Sequence, residues 1–237
     1  GFARGLARAG SDVILWGRRA DRNEEAAAAL RAHGVRVFAD VVDVSSEPAI
    51  VAGFARALDA MGRVDTVVAN AGVASRVPFT DMDVATYRKL IDVNLDGAVF
   101  TLREGARHMK ARAEAGDPGG SLIICGSGSI FQGVPTMAHY GIAKGALNAL
   151  AKALAAELGP IGVRCNVIAP GFIETEMTFA DPEVGRMIAD VVAAKAPLGR
   201  AGKPADLEGA VVYLASDMAA YHTGDTLVVD GGKMSAN

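Results

Sequence analysis

Tyr140 and Lys144 stand four residues apart in a segment patterned as a helix, a spacing that puts both side chains on one face. A phenol that titrates at about 10 is a poor proton carrier at neutral pH, and a neighbouring ammonium favours its ionised form. The pair is therefore suited to giving a proton to a carbonyl oxygen or taking one from an alcohol. Upstream, Gly126-Ser127-Gly128-Ser129 sets two hydroxyls on a flexible loop. Either can hydrogen-bond the oxygen that Tyr140 serves, although such a loop is also an ordinary turn.

Further candidates follow other short apolar runs. Gly17-Arg18-Arg19 comes after the first of them. In a dinucleotide-binding fold this position meets the adenosine ribose, where a carboxylate selects NAD and an arginine pairs with the 2′-phosphate of NADP. Two arginines and no carboxylate favour NADP, unless the turn is only a solvated basic one. Asp43 and Val44 follow the next run. Asp43 can accept from an adenine amino group while Val44 packs near the ring, or the pair simply precedes a helix start at Ser45 or Ser46. Asn70-Ala71-Gly72 combines an amide that can bond neighbouring backbone with a glycine that admits close approach. Pro170-Gly171 forces a sharp turn, which leaves the Ile173 backbone and the Thr175 hydroxyl free to meet a ligand.

The elements that must position these residues alternate. Gly1–Gly10 reads as a helix already under way, followed by a strand at Asp12–Trp16, a helix at Glu24–His33, a strand at Val35–Val42 and a helix at Glu47–Met61. A strand at Thr66–Ala69, one long helix from about Thr86 to Ala113, and a strand at Ser121–Cys125 come next. A helix at Tyr140–Leu158, a strand at Val163–Ile168, a mixed segment at Met177–Lys195, a helix near Asp206–Leu214 and a strand at Thr226–Val229 complete the chain. Alternation implies parallel pairing through right-handed crossovers, and hence an α/β, doubly wound, mostly parallel sheet. Nothing resembling a linker divides residues 1–237, so a single domain is expected, with the binding edge beyond the carboxyl ends of the strands.

Composition narrows the class. With 51% hydrophobic and 22% charged residues, a packed core is expected and disorder is not. A net charge of −3 gives neither a nucleic-acid footprint nor a polybasic membrane anchor. No apolar run approaches the roughly 20 residues that span a bilayer. Cys125 and Cys165 exclude a disulfide scaffold, fit a reducing cytoplasmic setting and read as core. His33, His108 and His222 show no metal-ligand spacing, so no metal site is expected, and His139 reads as surface or pocket lining.

The ordered set Asp43, Asn70-Ala71-Gly72, Val93-Asn94-Leu95, Ser127, Tyr140-x-x-x-Lys144, Pro170-Gly171-x-Ile173-x-Thr175 and Val229-Asp230-Gly231-Gly232 resembles the classical short-chain dehydrogenase/reductase family over essentially the whole chain. The resemblance implies a Rossmann-like fold and hydride transfer between a nicotinamide and a carbonyl or secondary alcohol. It selects Ser127, thirteen positions before Tyr140, with Ser129 as runner-up because Ile130 departs from the common loop pattern. It implies that Tyr140 transfers the proton, Ser127 holds the oxygen, Lys144 lowers the Tyr140 pKa and binds the nicotinamide ribose, and Asn94 holds a relay water. Asn94 also has a plainer reading as a residue satisfying backbone at a kink. Arg18 would grip the 2′-phosphate of NADP, with NAD as the other possibility. Asp43 and Val44 would hold the adenine, and Asn70, Ala71 and Gly72 the ribose side. Pro170 and Gly171 would make the turn from which Ile173 and Thr175 hold the nicotinamide half. The family's first strand and glycine-rich turn would precede Gly1 and are expected to lie outside this numbering.

Met177, Phe179, Met187 and Ile188 mark residues 176–197 as a substrate lid, with plain packing as the alternative. Gly97, Ala98, Gly145 and Ala149 suggest helix faces that the family uses in a homotetramer. The resemblance extends to 3-oxoacyl-acyl-carrier-protein reductases, which makes a 3-oxoacyl thioester the first substrate expected, with Arg103, Arg107, Lys110 and Arg112 as a basic patch for an acidic carrier. A sugar acid or polyol is the alternative, because Phe131-Gln132-Gly133 and the Arg18 turn also occur in gluconate-type dehydrogenases. A dinucleotide-binding sensor without catalysis is the reading from another class, and the intact Ser127, Tyr140 and Lys144 speak against it.

Overall fold

The computed structural model describes residues 1–236. The helix α1 (Phe2–Arg8) leads into β1 (Val13–Gly17), α2 (Ala20–Arg31), β2 (Val37–Val41), α3 (Glu47–Met61) and β3 (Thr66–Ala69). Then come α4 (Val84–Ile91), a wide π-type turn at Asp92–Asp96, α5 (Gly97–Glu114), β4 (Gly120–Cys125) and α6 (Ala138–Leu158). The chain continues through β5 (Val163–Pro170), α7 (Pro182–Lys195), α8 (Glu208–Ala215) and β6 (Thr226–Val229).

All strand pairing in the two ladders is parallel, as the alternation requires. It runs in two ladders where one sheet is expected: β1 with β2, and β3-β4-β5-β6. In a parallel α/β arrangement of this kind, ligands bind beyond the carboxyl ends of the strands. The two ladders share one core, since Ile14 and Trp16 of β1 pack into the cluster that holds Phe54, Val67 and Leu122.

Period-two alternation assigns the strand side chains to two layers. Val67 and Ala69 of β3, Leu122 and Ile124 of β4, and Val163, Cys165 and Val167 of β5 meet Leu102 and Met109 of α5 and Leu147 and Ala151 of α6. Ile123 and Ile168 face the other way, onto Phe2 of α1 and Val211 and Leu214 of α8. The α1 helix is fastened to α8 by Arg4 and Arg8, which reach Glu208 at 2.5 and 3.0 Å. Gly5 makes that approach possible, because a β-carbon there would meet Glu208 backbone at 2.9 Å.

Local signals explain the helix starts. Ser46 accepts from the Ala49 N–H, Asp83 from Thr86 at 2.7 Å, and Asp181 from Glu183 and Val184, each satisfying a first-turn donor. One expectation needs correction and two gain detail. The long helix expected from about Thr86 to Ala113 is present as one helical run, α4 through α5, widened by the π-type turn at Asp92–Asp96 inside it. The mixed segment, expected to be helical, contains a regular helix, α7, whose start is set by Asp181-Pro182. Gly97 and Ala98 are buried and present no open face: a β-carbon on Gly97 would meet the Val44 carbonyl oxygen at 2.7 Å. Gly145 and Ala149 do lie on the open side of α6.

Candidate active site

Ser127, Tyr140 and Lys144 converge beyond the end of β4. Ser127 follows the strand at once, and its Oγ accepts from the Ser129 N–H at 3.1 Å, which fixes the short helical turn at Gly128–Ile130. The chain then passes over residues 131–137 and enters α6, where Tyr140 sits on the first turn. Tyr140 packs near Leu90, Ile91 and Ala143. Its phenol lies beside the Ser127 side chain, near enough for Ser127 to favour the ionised form. Ser127 is therefore the hydroxyl that the structure brings to Tyr140, whereas the Ser129 Oγ is buried without a hydrogen-bond partner.

Lys144 is buried, and its ammonium donates to the Cys125 carbonyl at 2.7 Å. The nitrogen lies 5.7 Å from the Tyr140 ring centroid. The electrostatics differ from the expectation that Lys144 depresses the Tyr140 pKa. Burial pushes the phenol above its usual value, the neighbouring Cys125 thiol adds to the rise, and the Ser127 hydroxyl opposes it. Burial likewise lowers Lys144, with Cys125 acting in the other direction. Cys125 itself is raised by burial and stays a thiol. Burial thus favours the neutral phenol at Tyr140.

Asn94 is fully buried in the wide turn. Its Oδ1 accepts from the Val73 N–H at 2.7 Å and its Nδ2 donates to the Val73 carbonyl at 2.8 Å. The amide thus clamps the loop that follows Asn70-Ala71-Gly72, as the plainer reading of a backbone-satisfying asparagine expects. A wide turn also loosens the regular carbonyl ladder of the helix, so a relay through this position would have to use main-chain oxygen.

The residues expected on the cofactor side follow the ends of β1, β2 and β3. Arg18 is exposed after β1 and, among the described residues, makes no ion pair. Arg19 is also exposed and faces Glu176 at 3.7 Å. Asp43 accepts from the Ser45 N–H at 3.0 Å and the Ser45 hydroxyl at 2.7 Å. These bonds, with a smaller contribution from Arg18, hold its carboxyl below the usual range. One Asp43 oxygen is therefore spent on the turn before α3. Val44 lies against the start of α5. Asn70 and Ala71 are exposed at the end of β3, and Gly72 faces Asn94. A free guanidinium at Arg18, exposed backbone at Asn70-Ala71 and the Lys144 ammonium together fit an anionic dinucleotide with hydroxyl-bearing riboses.

On the far rim, Pro170 extends β5, and the Gly171 N–H donates to Val229 at 2.9 Å. The expected freedom of Ile173 and Thr175 is only partly present. The Ile173 carbonyl accepts from Thr178 Oγ1 at 2.7 Å, and the Thr175 hydroxyl lies 3.2 Å from that same oxygen, closing its own turn. Thr178 took these groups, and nothing in the Pro-Gly signal announced it. His139 also differs from expectation: it is fully buried, with Nε2 2.8 Å from Ser75 Oγ and Nδ1 unpartnered. It is neither surface nor lining. Sequence reasoning also missed Val73 and the Cys125 carbonyl as partners, because both act through backbone.

The basic patch is neutralised within the chain. Arg103 pairs with Glu47 at 2.6 Å and Glu104 at 3.0 Å, Arg107 with Glu104 at 2.8 Å, and Lys110 with Glu114. Arg112 reaches Asp117 at 2.9 Å and Asp65 at 3.3 Å. No group of three or more potential metal ligands occurs among the described residues. Among the described residues no helix is long and apolar enough to cross a membrane.

A family profile described as enoyl-(acyl carrier protein) reductase matches residues 1–234. An L-rhamnose 1-dehydrogenase (NAD(P)(+)) of Azotobacter vinelandii is 37% identical, covering 97% of this chain and 90% of that protein. A gluconate 5-dehydrogenase of Gluconobacter oxydans is 34% identical, over 98% and 88%. The crystal structure of a gluconate 5-dehydrogenase from Burkholderia cenocepacia, in complex with NADP and tartrate, superposes with a TM-score of 0.90 at 33% identity, over 99% and 90% of the two chains.

Proposed function

From the premise that this chain belongs to the classical short-chain dehydrogenase/reductase family, we propose that it is an NADP(H)-preferring dehydrogenase of sugars, polyols or sugar acids. The chain is an NAD(P)-dependent oxidoreductase acting on CH–OH groups. The finer substrate class rests on the names of the relatives described above, and one structural observation carries it against the thioester reading. The cations that would greet an acidic acyl carrier, Arg103, Arg107, Lys110 and Arg112, are already paired with carboxylates of this chain. The preference for NADP rests on Arg18, a guanidinium that makes no ion pair among the described residues, where a carboxylate would select NAD.

The nicotinamide, when bound, supplies or accepts the hydride. In alcohol oxidation, Ser127 donates a hydrogen bond to the substrate oxygen, and the ionised Tyr140 takes the hydroxyl proton as the C–H bond breaks. In reduction, neutral Tyr140 returns that proton to the carbonyl oxygen. Lys144, held by the Cys125 carbonyl, keeps a positive charge close to both Tyr140 and the ribose position. Asn94 keeps the loop after Gly72 in place through Val73. Residues 176–197 serve as the lid, with Met177 and Met187 on its exposed surface. Assembly as a homotetramer would cover Ile142 and Ala149 on α6 and the exposed Met218 and Tyr221. The cytoplasm supplies the reduced nucleotide that such an enzyme exchanges.

Purified protein offered a polyol, a sugar acid and a 3-oxoacyl thioester, each with NADP(H) and NAD(H), tests this reading by nicotinamide absorbance. Turnover of the first two with NADP(H) is expected. Turnover of the thioester alone overturns the substrate class. Nucleotide binding without turnover of any of the three, unchanged in Tyr140→Phe, would return the sensor reading.

A further inference from the structure

Gln132 and Lys233 lie 101 residues apart in the chain, yet Lys233 Nζ donates to Gln132 Oε1 at 3.1 Å in a half-buried contact. Gln132 belongs to the loop that runs from Ser127 to Tyr140, the segment that joins the two groups proposed to serve the substrate oxygen. That loop is not free to drift: Val77 N–H donates to the Thr136 carbonyl at 2.9 Å, and Arg76 reaches the Pro135 carbonyl.

Lys233 is aimed as firmly. Asp230, just past β6, accepts from the Gly232 N–H and the Met234 N–H, both at 2.8 Å, so its two oxygens are occupied on either side of Lys233. Gly232 turns the chain in the left-handed region at φ +84°. Asp230 also lies so close to Gly171 that a β-carbon there would meet it at 2.7 Å. The ammonium is thereby tied to the turn after Pro170 and bridges from that turn to the Ser127–Tyr140 loop.

The chemistry of the pair is one-sided. A lysine ammonium has three donors and no acceptor, so the Gln132 amide must turn its oxygen toward it and its NH2 away. Among the described residues no carboxylate neutralises Lys233. The pair therefore presents only donors, the two remaining N–H groups of the ammonium and the two of the amide, beside a positive charge. A polyol hydroxyl is both donor and acceptor and gains little from such a surface. A carboxylate is acceptor-only and matches it.

We propose that Lys233 and Gln132 hold a carboxylate of the substrate, which makes the preferred substrate a sugar acid or related hydroxy acid over a neutral polyol. This rests on the function proposed above and narrows it.

The test compares a six-carbon aldonic acid with the corresponding hexitol, using the wild type, Lys233→Met and Lys233→Arg in steady-state assays. The wild type should favour the acid, and Lys233→Met should raise KM for the acid about tenfold or more while kcat and the hexitol kinetics stay within about twofold. Lys233→Arg should recover part of the loss, which a merely structural lysine would not require. Equal use of acid and hexitol, or an unchanged acid KM in Lys233→Met, overturns this inference and leaves the sugar reading standing. Turnover of neither, with turnover of a simple secondary alcohol, overturns both.

Discussion

Asn94 makes both backbone hydrogen bonds of Val73, accepting from its N–H and donating to its carbonyl, at 2.7 and 2.8 Å. The asparagine is fully buried, so Asn94→Ala strands a donor and an acceptor away from water. Losing the bonds and leaving those groups unpaired should cost about 2–4 kcal/mol. Urea unfolding should show this as a lower midpoint. Nucleotide affinity should fall as well, because Val73 follows Gly72 directly. Unfolding that matches the wild type within 0.5 kcal/mol would show the clamp to be dispensable.

The Tyr140 phenol is raised by burial and lowered by Ser127, and the two directions of the reaction need opposite forms of it. Oxidation requires the phenolate, so its rate should climb with pH through the alkaline range. Reduction uses the neutral phenol and should be flat near neutrality and fall where oxidation rises. Ser127→Ala removes the opposing hydroxyl and should move the alkaline limb of kcat/KM to higher pH, together with a loss of about 10²-fold or more in rate. A limb that stays in place would mean that Ser127 does not touch the phenol during turnover.

Among the described residues Arg18 makes no ion pair, so its removal should act on the nucleotide rather than on the fold. Arg18→Ala should raise KM for NADP⁺ by about tenfold or more, with NAD⁺ changed about twofold at most. Equal effects on both nucleotides would assign phosphate recognition elsewhere, with Arg19 first in line if its contact with Glu176 opens.

Acid should weaken the protein through Asp117. Its bonds to Arg112 and Arg63 hold the carboxyl at about 2. A depressed carboxylate stabilises the folded chain above its unfolded value of about 4, and that contribution disappears as pH falls toward 2. Thermal midpoints measured across this window should decline, and Asp117→Asn should flatten that decline while lowering the midpoint near neutrality. An identical slope in the variant would place the acid sensitivity in other carboxylates.

The elements were readable wherever the pattern was local. Glu47–Met61, Thr66–Ala69 and Thr226–Val229 stand where periodicity and caps put them. Tyr140, Lys144 and Ser127 were legible because their spacing is a property of one loop and one helix. The partners were not legible. That Lys144 would bond the Cys125 carbonyl, that Thr178 would occupy the Thr175 hydroxyl, and that His139 would turn inward to Ser75 depend on backbone placed by remote packing. The long helix was legible as one run, but its π-type widening at Asp92–Asp96 was hidden, since Val93, Asn94 and Leu95 carry no local signal for an extra residue in the turn. Two strand ladders in place of one sheet also lay beyond local pattern, because pairing is decided between segments distant in the chain.

The wide turn at Asp92–Asp96 sets the rotational phase of everything after it. Each residue of a regular helix advances about 100°, so a turn holding one extra residue swings the downstream faces by about that amount. With the turn in place, Leu90 and Ile91 face Ala143 and Tyr140, while Leu102, Gly105 and Met109 face β3 and β4. Shortening residues 92–96 by one would let the helix run straight and would rotate Leu102 and Met109 out of the core. Segment length, more than the identity of any exposed residue along it, is therefore the quantity this stretch must conserve, and single-residue insertions or deletions there should be far more damaging than substitutions.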